Sequence, residues 1–207
     1  MHPKSCGRLP TFILVLPRDL TVGAFLALLA AVAVLRLVEI RVSRRHQRRM
    51  VARGAIHITN QHFSLMVSVH VAVLAGTALE VLLLRRPFFL ALAVPMFVLF
   101  LAANLVRLWV IRTLGDHWSV QIMDSTRLGV VTDGPFRYVR HPNYAAVFVE
   151  MIALPLIHTA WITAIAGSCL HLWAIRKRLE AEEPPLLADP EYRAAMAAKP
   201  RFVPGLF

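Results

Sequence analysis

Two clusters of polar side chains interrupt an otherwise apolar chain. The first is the run GPFRYVRHPNY, residues 134–144, and the second is Arg178 with Glu182 and Glu183, about one membrane-spanning helix later. Carboxylates can bind a cationic amine or ribose hydroxyls, and an arginine can hold a carboxylate through two hydrogen bonds. Both clusters border strongly apolar segments, where charged groups need a polar ligand or each other. We therefore predict that they form one ligand-binding site, although Arg178 and Glu182 could also be a simple i, i+4 surface pair.

The composition predicts an integral membrane protein. The 207 residues are 57% hydrophobic with net charge +11, and their mean hydropathy is +0.60. Because lipid offers no partner for unpaired backbone groups, each spanning segment should be a helix of roughly 20 residues. Five segments are candidates: Leu20–Val42, His62–Leu84, Pro87–Thr113, Asn143–Thr159 and Trp161–Lys177. The fold class expected is all-α and polytopic, with residue range 9–17 as an interfacial segment or an uncleaved leader-like stretch.

Basic residues predict the orientation in the membrane. Sixteen of them lie in the loops after the first and third segments and in the C-terminal tail, against five on the other side. The positive-inside tendency then places the N-terminus outside and the C-terminus, with both polar clusters, in the cytoplasm, most simply of a bacterial cytoplasmic membrane. The fourth and fifth segments are joined by almost no residues and should form a tight antiparallel hairpin. This hairpin would bring His141 and Tyr144 beside the second cluster. Pro184 and Pro185 are expected to end the last helix.

Polar side chains also occur inside the predicted spans. They are Arg36, Glu39, His70, Asn104, Arg107 and Glu150. At about 1.5 Å of rise per residue, all fall in or near the cytoplasmic half, where they could line one cavity. Alternatively, Arg36 and Glu39 form a local ion pair and Arg107 extends to the interface. Glu150 has no basic partner at helical spacing, which favours a role in the cavity.

Several functions are disfavoured by the sequence. The basic residues occur in short clusters between apolar segments, unlike a surface that tracks nucleic-acid phosphates. Cys6 and Cys169 define neither a disulfide framework nor a zinc site, and no two of the nine histidines share a helical face, so we expect no metal. None of the nine glycines forms the GxG of a Rossmann nucleotide site.

The motifs resemble those of the isoprenylcysteine carboxyl methyltransferase family of integral membrane enzymes. The resemblance rests on GPFRYVRHPNY, on Glu150, on the stretch RLEAEE at 178–183, and on Tyr192 with the closing RFVP. LGDHWS at 114–119 also resembles the stretch that precedes the motif in that family. The overall layout is most similar to bacterial members that O-methylate alkylpyrones and phenolic lipids. Phe136 in place of a common tyrosine, and alanines at 145–146 where glycine often follows, depart from the pattern.

The resemblance implies S-adenosylmethionine bound without a Rossmann fold, and a lipophilic acceptor that arrives from the membrane. One domain, 1–207, would combine a three-helix scaffold (1–113) with a cofactor-binding loop, hairpin and tail (114–207). Arg178 would orient the acceptor. The cofactor-binding residues implied are Gln121, Tyr138, His141, Pro142, Tyr144, Glu182 and Glu183. The acceptor-binding residues expected are Asn104, Arg107 and Trp118.

The acceptor's chemistry decides whether a base is needed. A carboxylate is already ionised and needs only Arg178, whereas a phenol or enol must lose a proton to Glu150, His117 or His70. Glu150 is therefore the second catalytic candidate. A phospholipid methyltransferase, or a non-catalytic membrane scaffold or sensor, remains an alternative. The sequence leaves the natural acceptor and the oligomeric state open.

Overall fold

Three long helices make up the first half of the protein. The structure, a computed structural model, describes residues 17–59 and 61–203, so the interfacial or leader-like segment predicted at 9–17 lies outside it except for Pro17. Helix α1 is Arg18–Ala52, α2 is Gln61–Leu83 and α3 is Leu90–Leu114. At 35 residues, α1 is about 52 Å long and extends well beyond a hydrocarbon core of about 30 Å.

The second half contains three further helices. Helix α4 is Pro142–Leu156, α5 is Trp161–Ala188 and α6 is Pro190–Met196. Residues 157–160 join α4 to α5, and the two helices pack against each other. Within the described ranges, α1, α2 and α3 are long and apolar enough to cross a membrane, and α4 is a shorter apolar helix. The described residues thus support a mostly helical membrane protein with three candidate spans, and they do not confirm the five spans expected.

The prediction that Pro184 and Pro185 end the last helix is wrong. Helix α5 continues through both prolines to Ala188. Prolines donate no backbone hydrogen bond, so the carbonyls of Glu180 and Ala181 lose their usual helical partners there. The chain then turns at Asp189, whose Oδ1 accepts a hydrogen bond from the backbone N–H of Tyr192 at 2.8 Å and caps α6.

A short antiparallel sheet adds to the expected all-α fold. Strand β1, Ile56–Thr59, pairs with β2, Ile122–Asp124, with His57 opposite Met123. The sheet ties the α1–α2 connection to the long connection between α3 and α4. These strands are short and have no alternating pattern longer than four residues, so periodicity did not indicate them.

Apolar contacts hold the helices together at the end away from the polar motifs. The main core cluster contains Phe25 and Leu29 of α1, Val81 of α2, Phe100 of α3 and Leu154 of α4. At the same end, Glu80 of α2 accepts hydrogen bonds from the backbone N–H groups of Ile162 and Thr163, at 3.1 and 2.7 Å. This carboxylate satisfies free N–H groups at the start of α5 and fixes α5 against α2.

Candidate functional site

The first cavity lies where the α3–α4 connection meets the ends of α4, α5 and α6. Its lining includes Trp118, Ser119, Gln121, Phe136, Arg140, His141, Pro142, Asn143, Tyr144, Arg178, Glu182, Tyr192 and Met196. His141 precedes α4 and Pro142 is its first residue, a position that proline favours because its missing N–H would be unpaired anyway. Burial raises the pKa of Tyr192 to about 12, so this phenol is a neutral hydrogen-bond donor at neutral pH.

Gln121 and Trp118 are positioned by contacts from outside the connection. His57 Nε2 lies 2.6 Å from Gln121 Oε1, across the small sheet. Ser43 Oγ of α1 accepts a hydrogen bond from the backbone N–H of Val120 at 2.9 Å. The first helix and β1 therefore hold residues 118–121 in place at the edge of the first cavity.

A hydrogen-bonded group of three side chains stands beside this cavity. Arg178 Nε donates to Tyr144 Oη at 2.5 Å, and Tyr144 Oη donates in turn to Glu182. Arg178 Nη1 donates to the carbonyl of Val120 at 2.7 Å. Tyr144 and Arg178 are 7% and 6% exposed, so the hydrogen bonds hold both side chains firmly. The structure therefore brings together the two clusters that the sequence analysis placed in one site.

The second cavity extends from the same three-residue group toward α1 and α2. It has a volume of about 270 Å³, and its lining includes Ala33, Arg36, Leu37, Glu39, Ile40, Met66, Val67, His70, Val71, Leu74, Arg107, Val120 and Val147. Trp118, Ser119, Asn143, Tyr144 and Arg178 line both cavities. Leu37 and Val71, on the α1 and α2 walls, are 56% and 59% exposed. Most of the residues that line this cavity are apolar, and its polar end lies next to Tyr144 and Arg178.

An ion-pair network across three helices forms the charged wall of the second cavity. Arg36 lies 2.6 Å from Glu39, 3.1 Å from Glu150 and 2.9 Å from Asn104 Oδ1. Arg107 lies 2.7 Å from Glu39. Arg36 therefore does pair with Glu39 as the sequence spacing allowed. The network also pairs α1 with α3 and α4, which spacing along one helix could not indicate.

Four predicted site residues lie outside both cavities: Asn104, Tyr138, Glu150 and Glu183. Glu150 is 1% exposed and is occupied by Arg36, and Asn104 binds Arg36 and the carbonyl of Phe100. Neither Glu150 nor Asn104 lines the first or the second cavity. Through Arg36, both support the charged wall of the second cavity. Tyr138, which directly follows the turn at 134–137, is 58% exposed and is also absent from the lining of both cavities.

Glu183, expected to bind the cofactor, instead contacts other parts of the protein. Its carboxylate lies 3.2 Å from His141 Nε2, 3.3 Å from Arg140 Nη1 and 2.6 Å from Arg201 Nη2. The hydrogen bond from His141, with those from Arg201 and the charge of Arg140, lowers the pKa of Glu183 to about 2. The backbone N–H groups of Arg140 and His141 donate to the carbonyls of Pro200 and Arg201, at 2.9 and 2.8 Å. Glu183 thus clamps the tail, residues 197–203, onto the first motif.

Asn143 is a site residue that the sequence analysis overlooked. It lines both cavities, and its Oδ1 is buried without a hydrogen-bond partner among the described residues. A buried amide oxygen with no partner is unfavourable unless a ligand or water supplies a donor. Its place between Pro142 and Tyr144 in the motif was a usable signal, but helical periodicity does not show which face it occupies.

The comparisons with known proteins agree with a membrane enzyme of one particular class. Residues 93–188 match the family model described as the isoprenylcysteine carboxyl methyltransferase (ICMT) family, which covers α3, the α3–α4 connection, α4 and α5. This match and the shared motifs support a place for the chain in the ICMT family. The family consists of methyltransferases, and three apolar helices fit a place in the membrane.

The most similar proteins include two bacterial ones and one solved structure. The chain is 28% identical over 162 residues to the uncharacterized protein YpbQ of Bacillus subtilis, covering 77% of this chain and 94% of that protein. It is 28% identical to an uncharacterized Haemophilus influenzae protein, covering 74% and 90% of the two chains. The structure of the eukaryotic intramembrane Ras methyltransferase ICMT matches with a TM-score of 0.56 at 19% identity. That match covers 87% of this chain but 64% of the eukaryotic one, and it shows a shared fold.

Proposed function

We propose that the protein is an S-adenosylmethionine-dependent O-methyltransferase that acts on a lipophilic acceptor in the membrane. The first cavity would bind the cofactor, and the second would bind the acceptor. The observation that carries this proposal is that the two cavities meet at Asn143, Tyr144 and Arg178. A donor in one cavity and an acceptor in the other would have their reacting atoms side by side at this junction.

The residues of the first cavity fit the cofactor's chemical groups. Glu182 and Arg140 offer opposite charges to the amino and carboxylate groups of a methionine moiety. Asn143 Oδ1 is an unpaired acceptor for a hydroxyl or amine. Phe136 and Tyr192 offer aromatic surfaces to an adenine. Of the two carboxylates expected to contact the cofactor, Glu182 keeps that role here and Glu183 does not, because Glu183 is engaged by the tail clamp.

The residues at the junction would act mainly through alignment and exclusion of water. S-adenosylmethionine supplies an electrophilic methyl group when bound. Transfer by in-line displacement requires the two reacting atoms to be held close together in a dry site. Trp118, 3% exposed, and Tyr144 form the walls of this junction, and Arg178 carries hydrogen-bond donors to orient the acceptor oxygen. No covalent intermediate with the protein is needed.

The charge balance of the second cavity favours a hydroxyl acceptor over a carboxylate. Three arginines, Arg36, Arg107 and Arg178, are each within ion-pair distance of a glutamate. The glutamates are Glu39, Glu150 and Glu182, so the charges already cancel. A carboxylate would add an uncompensated negative charge in a poorly solvated site, which is costly. A neutral phenol or enol, such as a polyketide-derived phenolic or pyrone lipid, would bind without adding a charge.

His70 is the best-placed base for such a hydroxyl. Its Nδ1 lies 2.7 Å from the carbonyl of Met66 and must donate to it, which leaves Nε2 as a free acceptor. It lines the second cavity, whereas His117 lines only the first and Glu150 lines neither. An isoprenylcysteine-like carboxylate, oriented by Arg178 without a base, is the second candidate because the family match favours it.

Binding and activity with paired acceptors would test this proposal. Purified protein in detergent should bind S-adenosylmethionine by calorimetry, and Glu182→Gln should bind it at least about tenfold more weakly, since a charge-assisted hydrogen bond is lost. Labelled methyl groups should then appear on a long-chain phenol or pyrone, and to a smaller extent on a farnesylcysteine analogue.

Two results would separate the alternatives. His70→Gln should reduce methylation of the hydroxyl acceptor far more than that of the carboxylate acceptor, because only the hydroxyl must lose a proton. Methylation of the farnesylcysteine analogue alone would reject the hydroxyl assignment. A protein that binds no S-adenosylmethionine would reject the enzyme altogether and favour a scaffold.

A further inference from the structure

Four arginines form a stripe along one face of α1, just after the apolar part of that helix. Arg41, Arg44, Arg45 and Arg48 are spaced i, i+3, i+4 and i+7, and all four are exposed. This spacing places their side chains on neighbouring positions of one helical face. The opposite face carries Ser43 and the fully buried Met50, which pack against the protein. We call these four residues the arginine stripe.

No carboxylate neutralises the stripe within the part of the chain that the structure describes. None of its four side chains lies within 4.0 Å of an acidic group there, although Arg49 and Arg53 on the same helix approach Asp116 at 2.9 and 3.9 Å. Like charges at these spacings repel each other and destabilise the helix. An external anion would remove this repulsion.

The position of the stripe indicates where such an anion lies. A crossing of about 30 Å that begins near Leu20 takes roughly 20 residues and ends near Ile40. The stripe then begins at the level of the lipid headgroups. Ala33, Leu37 and Ile40, which line the second cavity, lie on the turns just before it. Arg44 follows Ile40 by one turn, so the stripe flanks the α1 side of that cavity.

We propose that the arginine stripe binds the phosphate groups of anionic membrane lipids. Guanidinium groups bind phosphate oxygens through paired hydrogen bonds, and a row of them suits a layer of headgroups. Among the described residues, these four line neither of the two cavities, so neither cavity gives them an enclosed pocket for a free phosphate ion. The lipids would also sit beside the second cavity and help to order its α1 wall. The inference does not depend on the proposed methyl transfer.

Counting bound lipids on the full-length protein would test the inference. The protein would be equilibrated in detergent with equal amounts of phosphatidylglycerol and phosphatidylcholine, and bound lipids would be counted by native mass spectrometry. We expect a clear excess of phosphatidylglycerol on the wild type. The double variant Arg44→Gln/Arg48→Gln should bind it at least about tenfold more weakly, since each arginine near a membrane surface contributes about fivefold.

A matched control distinguishes the effect of the arginine stripe from the effect of the protein's net charge. Arg112→Gln/Arg193→Gln removes the same charge from two other exposed arginines and should bind phosphatidylglycerol as the wild type does. Arg44→Lys/Arg48→Lys keeps the charge and should retain most of the binding. It therefore controls for loss of binding that is caused by misfolding or by an altered orientation in the membrane. The double glutamine variant also keeps Arg41 and Arg45, which preserves the basic signal for orientation.

Three outcomes would overturn the inference. These are equal binding of the two lipids, equal losses in the stripe and control variants, or complete displacement of phosphatidylglycerol by millimolar inorganic phosphate. The last outcome would mean a site for free anions rather than for lipid. Lipid counting requires no turnover, so a failed methyltransferase assay would leave this result unaffected.

Discussion

The exchange Glu183→Gln tests whether this side chain clamps the tail or binds the cofactor. Glutamine keeps the size and one acceptor but removes the charge opposite Arg140, His141 and Arg201. Removing one member of a buried ion pair costs about 3–5 kcal/mol, whereas surface pairs contribute about 0–1 kcal/mol. The Arg201 side chain is 49% exposed and can be rehydrated, but that of Arg140 is 12% exposed and is left without its partner.

The expected loss of stability lies between these limits. We estimate about 2 kcal/mol, because glutamine still accepts one hydrogen bond and the half-exposed Arg201 side chain can be rehydrated. For a protein of this size that corresponds to a Tm lower by about 4–8 °C. The measurement is thermal unfolding in detergent, followed by tryptophan fluorescence, with limited proteolysis to report on release of the tail at 197–203.

Two comparison variants make the test specific. Arg201→Ala removes only the half-exposed partner of Glu183 and should cost about 1 kcal/mol or less. Glu182→Gln changes the neighbouring carboxylate, which faces the first cavity, and should weaken cofactor binding with a smaller change in Tm. If Glu183→Gln has the Tm and proteolysis pattern of the wild type but loses affinity for S-adenosylmethionine, the clamp is wrong and the original assignment to the cofactor is right.

Further predictions concern the junction, the charged wall and the response to pH. Tyr144→Phe removes the hydroxyl between Arg178 and Glu182, so kcat should fall at least about tenfold with little change in Tm; an unchanged kcat in steady-state kinetics would contradict a role in alignment. Glu150→Gln removes one of the buried ion-pair partners of Arg36 and should lower the free energy of unfolding by about 3 kcal/mol. Methylation should then change without selectivity for one kind of acceptor. Unchanged unfolding with a selective loss of hydroxyl methylation would instead make Glu150 the base. Because the pKa of Glu183 is lowered to about 2 in the folded protein, its stabilising effect is complete above about pH 4.5 and is lost as the pH falls toward 2. Cleavage of the tail by pepsin should therefore increase over this interval in the wild type, and an equally steep increase in Glu183→Gln would exclude Glu183 as the cause.

Much of the site could be predicted from local sequence because the relevant residues are close along the chain or lie at adjoining helix ends. His141, Pro142 and Tyr144 belong to one motif, and a short connection from α4 to α5 brings Arg178 and Glu182 to them. The apolar runs of α1 to α3 similarly indicate helices in a membrane, since hydropathy alone sets that preference.

The roles of neighbouring carboxylates depended on the folded protein. Glu182 and Glu183 are adjacent in sequence, but a rotation of about 100° per helical residue turns one toward the first cavity and the other toward the tail. Glu150 has no partner on its own helix and meets Arg36 of α1 only through packing. Glu80, which caps α5 from α2, gave no local signal at all.

The amino-acid sequence by itself indicated a helical membrane protein that resembles the ICMT family, with its polar motifs at one end. These properties follow from hydropathy and from motifs that lie within short stretches of chain. The tertiary structure decided which acidic groups face a cavity, which ones are neutralised by arginines, and that the two cavities meet at Tyr144 and Arg178. Such pairings join residues more than 100 positions apart, as with Arg36 and Glu150, and only the packing of helices brings them within hydrogen-bonding distance.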